Sequence, residues 1–257
     1  MPTFALGHSV TVLAAMFWGA VSSATLILGA VLAYAFKPSP RLTAIVMAAG
    51  SGLLIGSVSY DLVADAQLAL NLPLLALSLF AGAAVFVFGT KILESRGSKD
   101  HAVGKNDDES SGTGSNPLAI VLGSVLDGVP ESFVLGISVL SGAVSPTLLA
   151  GVALSNLPEG MAASAGLRTK KWKLAKVLLM YAAVVATSAI ASGLGYTLLA
   201  SDDGTITGVV QTFAAGALLA MIANTMIPDA YQVEREWTGG LVVAGFALSL
   251  LLASVLG

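Results

Sequence analysis

The chain has 257 residues, of which 56% are hydrophobic and 11% charged, with a mean hydropathy of +0.87 and a formal net charge of −3. About a quarter of the residues in soluble domains are charged, so this composition excludes an ordinary soluble fold and reads as a polytopic membrane protein. The small net charge argues against nucleic acid as a partner. Zero cysteine removes disulfides and thiolate metal sites, and the N-terminus lacks the basic residues of a cleavable signal peptide.

At about 20 apolar residues per crossing, the chain predicts eight spans. In order they are 11–36, 41–64, 73–93, 117–140, 146–167, 173–199, 207–230 and 239–256. The expected fold class is an all-α membrane protein forming a single polytopic domain over 1–257. Short connections carry turn residues, as in Asn71-Leu72-Pro73 and Asp202-Asp203-Gly204. The stretch 95–116 is Ser/Gly-rich and bears both signs of charge, which reads as a flexible loop between the third and fourth spans.

Every Lys and Arg falls on, or at the membrane edge of, an odd-numbered connection. They are Lys37 and Arg41; Lys91, Arg96, Lys99 and Lys105; Arg168, Lys170, Lys171, Lys173 and Lys176; and Arg235. By the positive-inside rule these connections are cytoplasmic and both termini lie outside. The expected location is multi-pass in a plasma or inner membrane, with the bilayer as solvent.

Two copies of one pattern sit near the middles of the fourth and fifth spans: Asp127-Gly128-Val129-Pro130-Glu131 and Ser155-Asn156-Leu157-Pro158-Glu159. An ionised acid at the centre of a spanning helix costs roughly 2.5 to 3.5 kcal/mol, so Asp127, Glu131 and Glu159 call for compensation. Residues four apart share a helix face, which stacks Asp127 over Glu131 and Ser155 over Glu159. Proline removes a backbone donor and frees carbonyl oxygens near Leu126 and Leu154. Small residues (Gly123, Ser124, Gly128, Gly151, Ser155) would let the two helices approach closely. The expected metal ligands are therefore Asp127, Glu131, Ser155, Asn156 and Glu159, an oxygen set suited to a divalent cation. Ser59 and Asp61 near the outer end of the second span, and Asn224 and Asp229 on the seventh, are candidate pathway residues. Asp61 reads equally as an interfacial acid, and Asp229 more readily so. His8 and His101 read as surface histidines.

A second self-similarity aligns Gly52 through Asp65-Ala66 with Gly216 through Asp229-Ala230 without gaps. In the expected topology both matched pairs, the second with the seventh span and the fourth with the fifth, run in opposite directions. That is the mark of an inverted-topology repeat with its site near the midplane.

These residues resemble the ZIP family of divalent metal transporters. The resemblance rests on Pro130-Glu131, Asn156, Pro158-Glu159-Gly160 and the run from Phe213-Ala-Ala-Gly216 to Pro228-Asp229. It implies eight crossings in a 3+2+3 inverted arrangement, a variable cytoplasmic loop between the third and fourth helices, and transport toward the cytoplasm. The chain departs from the family pattern at Asp127, where a histidine is usual, at Gly128 for asparagine, and at Ser155 for histidine or glutamine. No carboxylate lies between Trp172 and Leu199, so the acid that completes a second metal position in some members is missing. Losing imidazole favours harder cations such as manganese, while aspartate and glutamate still bind zinc.

The expected function is transport of a divalent metal cation of the zinc, iron or manganese class, held between the fourth and fifth spans as substrate. Two alternatives stay open: a proton- or monovalent-cation-coupled transporter using Asp127 and Glu131 as a protonatable pair, and a metal-binding membrane protein without flux. An enzyme is not expected, since the chain holds neither His-Glu-x-x-His nor a P-loop. The sequence leaves a homodimer open.

Overall fold

A computed structural model describes residues 3–95, 117–141, 144–201 and 204–256, and helix is the only regular structure among them. The helices are α1 (Thr3–Ala35), α2 (Pro40–Ser57), α3 (Leu72–Ser95), α4 (Pro117–Ser138), α5 (Pro146–Thr169), α6 (Leu174–Leu199), α7 (Thr205–Met221), α8 (Ile227–Glu234) and α9 (Trp237–Leu256). A π-helical segment, Val58–Ala64, continues α2, and another, Ile222–Met226, joins α7 to α8. The loop expected over 95–116 lies outside the described residues, apart from Ser95 at the end of α3.

Among the described residues, six stretches are long and apolar enough to cross a membrane: Thr11–Ala35, Pro40–Ala64, Leu72–Ile92, Leu174–Leu199, Thr205–Glu234 and Trp237–Val255. The chain is thus an all-helical, multi-pass membrane protein. In α5 the apolar run is interrupted by Ser155, Asn156, Pro158 and Glu159, and part of the α4 side chains lie outside the described residues. The first helix begins at Thr3, earlier than the expected boundary at 11. Large apolar side chains also cover the outside, with Phe80 72%, Leu179 73% and Val255 77% exposed. Such a surface suits lipid, against which Leu and Phe carry no hydrophobic penalty.

Local chemistry explains the helix ends and breaks. α2 and α5 each start with a Ser-Pro pair: the side chains of Ser39 and Ser145 accept from the amides of Leu42 and Leu148, each at 3.2 Å, and Pro40 and Pro146 occupy the first turn. Gly204, at φ +97°, caps the start of α7 in a conformation that side chains rarely adopt. Pro228 cannot donate to the turn before it and would clash with it, and the helix widens to π geometry over Ile222–Met226. In the second span, the hydroxyls of Ser51, Ser57 and Ser59 bond back to the carbonyls of Met47, Leu53 and Ile55 at 2.7 to 3.0 Å. Such back-bonding loosens the ladder where the π segment begins.

The packing sorts the helices into two groups. α1, α4, α5 and α6 pack together, α1 lying along both α5 and α6 and α4 along α6; α2 packs on α9 and α3 on α7. The groups meet chiefly where α2 crosses α5 and, less extensively, where α4 crosses α7. Glycines make these contacts backbone to backbone. A Cβ on Gly52 would collide with the Val242 carbonyl of α9, and one on Gly216 with the Leu79 carbonyl of α3. Gly245 meets Ala49, and Gly82 meets Phe213, in the same way. Small residues admit this close approach in lipid.

This arrangement corrects the expectation that small residues draw α4 and α5 together. The two helices touch only sparsely. Gly151 faces Leu53 and Leu54 of α2, Gly160 meets the Leu26 carbonyl of α1, and Gly136 meets the Ser192 carbonyl of α6. Each proline-bearing helix therefore spends its small residues on a different neighbour, which leaves polar side chains to span the gap between α4 and α5.

Candidate cation site between α4 and α5

Asp127 and Glu131 lie one turn apart on α4, on either side of Pro130, and Glu159 follows Pro158 on α5. All three carboxyls are near enough for electrostatic interaction, Glu159 acting on Asp127 and both on Glu131. Glu131 is the most enclosed, at 1% exposure, whereas Asp127 and Glu159 are half-buried. The side chains of Ser155 and Asn156 face the Glu131 carboxyl from α5. Its Oε2 nevertheless has no hydrogen-bond partner among the described residues. Among the described residues, no Lys or Arg acts on any of the three acids. Buried carboxylates without a counter-charge are costly unless they are protonated or joined by a cation.

Of the expected ligands, Ser155 and Asn156 stand beside Glu131 and the three acids act on one another; Ser124, singled out above only for its small size, joins Glu159. Its hydroxyl donates to Glu159 Oε1 at 3.1 Å and bridges α4 to α5. Ser124, Asp127 and Glu131 fall at i, i+3 and i+7, a helical face that the spacing would have revealed. Two expected ligands have other engagements as well: Ser155 donates to the Val152 carbonyl at 2.9 Å, and Asn156 Nδ2 to the Ser22 carbonyl of α1 at 3.4 Å. The Leu154 carbonyl, deprived of the residue-158 amide, lies against Gly50 of α2. Among the described residues, no three of Asp, Glu, His or Cys stand at metal-holding spacing. A cation here would take its remaining oxygens from Ser155, Asn156 or water, or would draw the carboxylates inward.

The candidate pathway residues are placed elsewhere. Asp61, in the π segment after α2, accepts hydrogen bonds on Oδ2 from Ser145 Oγ at 2.8 Å and Thr147 Oγ1 at 2.6 Å. It is therefore tied to the first turn of α5, where a negative charge also suits the helix dipole. Burial, and behind it the charge of Asp61, push the Asp65 carboxyl up from its ordinary value. The Ser59 hydroxyl is engaged with Ile55 of its own helix at 2.7 Å. Asn224 is exposed on the second π segment and Asp229 half-buried on α8. Neither is hydrogen-bonded or ion-paired to the acidic cluster among the described residues. The side chains of His8 and His101 lie outside the described residues.

Fold and site together define a class: an all-helical multi-pass membrane protein that encloses an acidic, oxygen-rich cluster between two proline-broken helices. No protein-family model matches the chain, and no curated protein is significantly similar to it.

Proposed function

We propose that this protein carries a divalent metal cation of the zinc, iron or manganese class across the membrane toward the cytoplasm, with Asp127, Glu131, Ser155, Asn156 and Glu159 as its ligands. The observation that carries the reading is the Glu131 carboxylate, almost wholly enclosed and beside two further acids, with one oxygen unpartnered and no basic side chain acting on it among the described residues. A doubly charged cargo would offset all three charges at once. On this reading the eight predicted spans cross as a 3+2+3 inverted repeat of ZIP type. Two features support the repeat. The π segments begin at Val58 and Ile222, in the register that also relates Gly52 to Gly216. The close contact of α2 with α9 at Gly52 has its counterpart in that of α7 with α3 at Gly216. The membrane potential would draw the cation inward, at roughly 2.3 kcal/mol per elementary charge per 100 mV.

The test is uptake of manganese and zinc into proteoliposomes. Glu131→Ala combined with Glu159→Ala is expected to abolish flux, and uptake that survives the pair would overturn the assignment. The Gln variants at both positions keep side-chain volume and serve where the Ala pair misfolds. One observation favours a second reading: the described acids do not form a preassembled metal-holding group, as in a proton- or monovalent-coupled transporter. A rise in Tm of the purified protein with added metal separates the two, since a ligand bound only by the folded state stabilises it. Binding without uptake would point instead to a metal-binding protein without flux.

A further inference from the structure

α2 and α9 meet backbone to backbone at Gly52 and Gly245, yet they part toward their starts. There a cavity of about 380 Å³ opens between α2, α8 and α9, lined by Arg41, Ile45, Glu234, Trp237, Gly240 and Leu241. Nothing lies within 4 Å of the place that a Cβ on Gly240 would take. Such a volume falls in the range of about 300 to 1,000 Å³ usual for small-ligand sites.

The lining is divided by chemistry. Arg41 and Ile45 stand one turn apart on α2, and Trp237, Gly240 and Leu241 at i, i+3 and i+4 on α9, so each helix runs from a rim residue into an apolar wall. At the rim, Glu234, its side chain 4% exposed, accepts from Arg41 Nε at 2.9 Å, whereas the Arg41 side chain is 72% exposed. That single bond leaves the four N–H groups of the terminal guanidinium nitrogens uncommitted among the described residues. Their planar fork matches a phosphate.

The level of the cavity in the bilayer follows from α9. Its apolar stretch Trp237–Val255 has 19 residues, about 28 Å at the rise of an α-helix and close to the roughly 30 Å hydrocarbon core. Trp237, first in that stretch and 72% exposed, therefore stands at the headgroup boundary, where tryptophan is enriched. Arg41, on the same rim, falls at the level of lipid phosphates. Val243 and Leu251 continue the exposed apolar face of α9, so the groove opens onto lipid.

We propose that this groove holds one phospholipid of the surrounding leaflet, its phosphate on the Arg41 fork and the first part of an acyl chain along Ile45, Gly240 and Leu241. The occupant has to be amphiphilic, because charge is confined to the rim and the walls below it are apolar. The bilayer supplies such a molecule at this level. The inference needs only the membrane location, and it stands whether or not the cluster between α4 and α5 carries a metal.

The experiment uses the purified full-length protein in detergent, dioleoylphosphatidylglycerol as the probe, and native mass spectrometry to read the lipid retained on titration. Wild type is expected to retain one tightly held lipid per chain. Gly240→Leu, which places a side chain in the groove, should weaken retention at least tenfold. Gly239→Leu adds the same side chain where there is also open space but outside the cavity lining, and should stay within twofold of wild type. Arg41→Lys keeps a cation for Glu234 but loses the fork; it is expected to weaken retention at least threefold and carries the test if Gly240→Leu folds poorly. Unchanged retention in Gly240→Leu and Arg41→Lys, or equal loss at Gly239 and Gly240, overturns the inference. Dioleoylglycerol held as tightly as the phospholipid overturns the phosphate contact, and displacement of the lipid by an equal concentration of inorganic phosphate marks a site for the free anion instead. A Gly240→Leu variant that keeps its lipid but loses a dimer on size exclusion assigns the groove to a second copy of the chain, and overturns the lipid assignment.

Discussion

On the proposed metal-carrier reading, Glu131 concentrates the chemistry of this protein in one side chain. A carboxylate at 1% exposure, with an unpartnered oxygen and two acidic neighbours, is a poor structural element and a good cation ligand. Asp127 stands a turn away and is more open, so substitution there should change ligand character with less harm to packing. Replacing its hard oxygens with imidazole favours zinc over manganese. Asp127→His is therefore expected to shift the zinc-to-manganese preference about tenfold, equivalent to roughly 1.4 kcal/mol, in a competition series on uptake. An unchanged series would place selectivity away from this ligand. The acids were legible in the sequence because charge inside a spanning helix is conspicuous. Ser124 was not, since a serine in a spanning helix looks the same whether its hydroxyl bonds back to its own helix or reaches a neighbour.

Between elements, Asp61 has a structural duty that its position in the sequence did not disclose. Two hydroxyls from the start of α5 converge on one oxygen of Asp61, joining the π segment after α2 to the helix that carries Glu159. Charge-assisted bonds of this kind contribute roughly 1.5 to 3 kcal/mol each when well enclosed, and less at a half-buried site. Asp61→Ala should accordingly destabilise the purified protein by about 1 to 2 kcal/mol in unfolding measurements in detergent, with Asp61→Asn retaining most of the stability. An Asp61→Ala variant as stable as wild type but slow in uptake would instead mark Asp61 as a ligand at the mouth of the pathway. The Ser-Pro starts of α2 and α5 were legible, because capping is local chemistry. The π segments were not, because nothing in a single helix announces where an extra residue will be accommodated.

Across the whole molecule, close glycine contacts hold α2 to α9 and α7 to α3. A side chain there would strike backbone, which cannot yield as a flexible side chain can. Overpacking typically costs 1 to 3 kcal/mol, and Gly52→Val and Gly216→Val are each expected to cost at least about that much, seen as loss of monodisperse protein on size exclusion. On the proposed repeat the two losses should be similar. Gly239, with open space where a Cβ would stand, is the control: Gly239→Ala should leave the yield unchanged or raise it, as helix propensity favours Ala. A much milder effect at Gly216 than at Gly52 would count against their equivalence.

The amino-acid sequence by itself determined that the chain is helical, that it belongs in a membrane and that two proline-broken segments bear the acids. Each of these follows from properties of single segments, namely hydrophobic length, backbone donors and charge. Only the tertiary structure decided that α4 leans on α6 and α5 on α1, that Ser124 turns toward Glu159, and that Asp61 is tied to α5. In lipid, the inner and outer faces of a helix are both apolar, so the periodicity that marks the buried face of a soluble helix is muted. Partner choice then rests on the fit of glycine to carbonyl between helices distant in the chain.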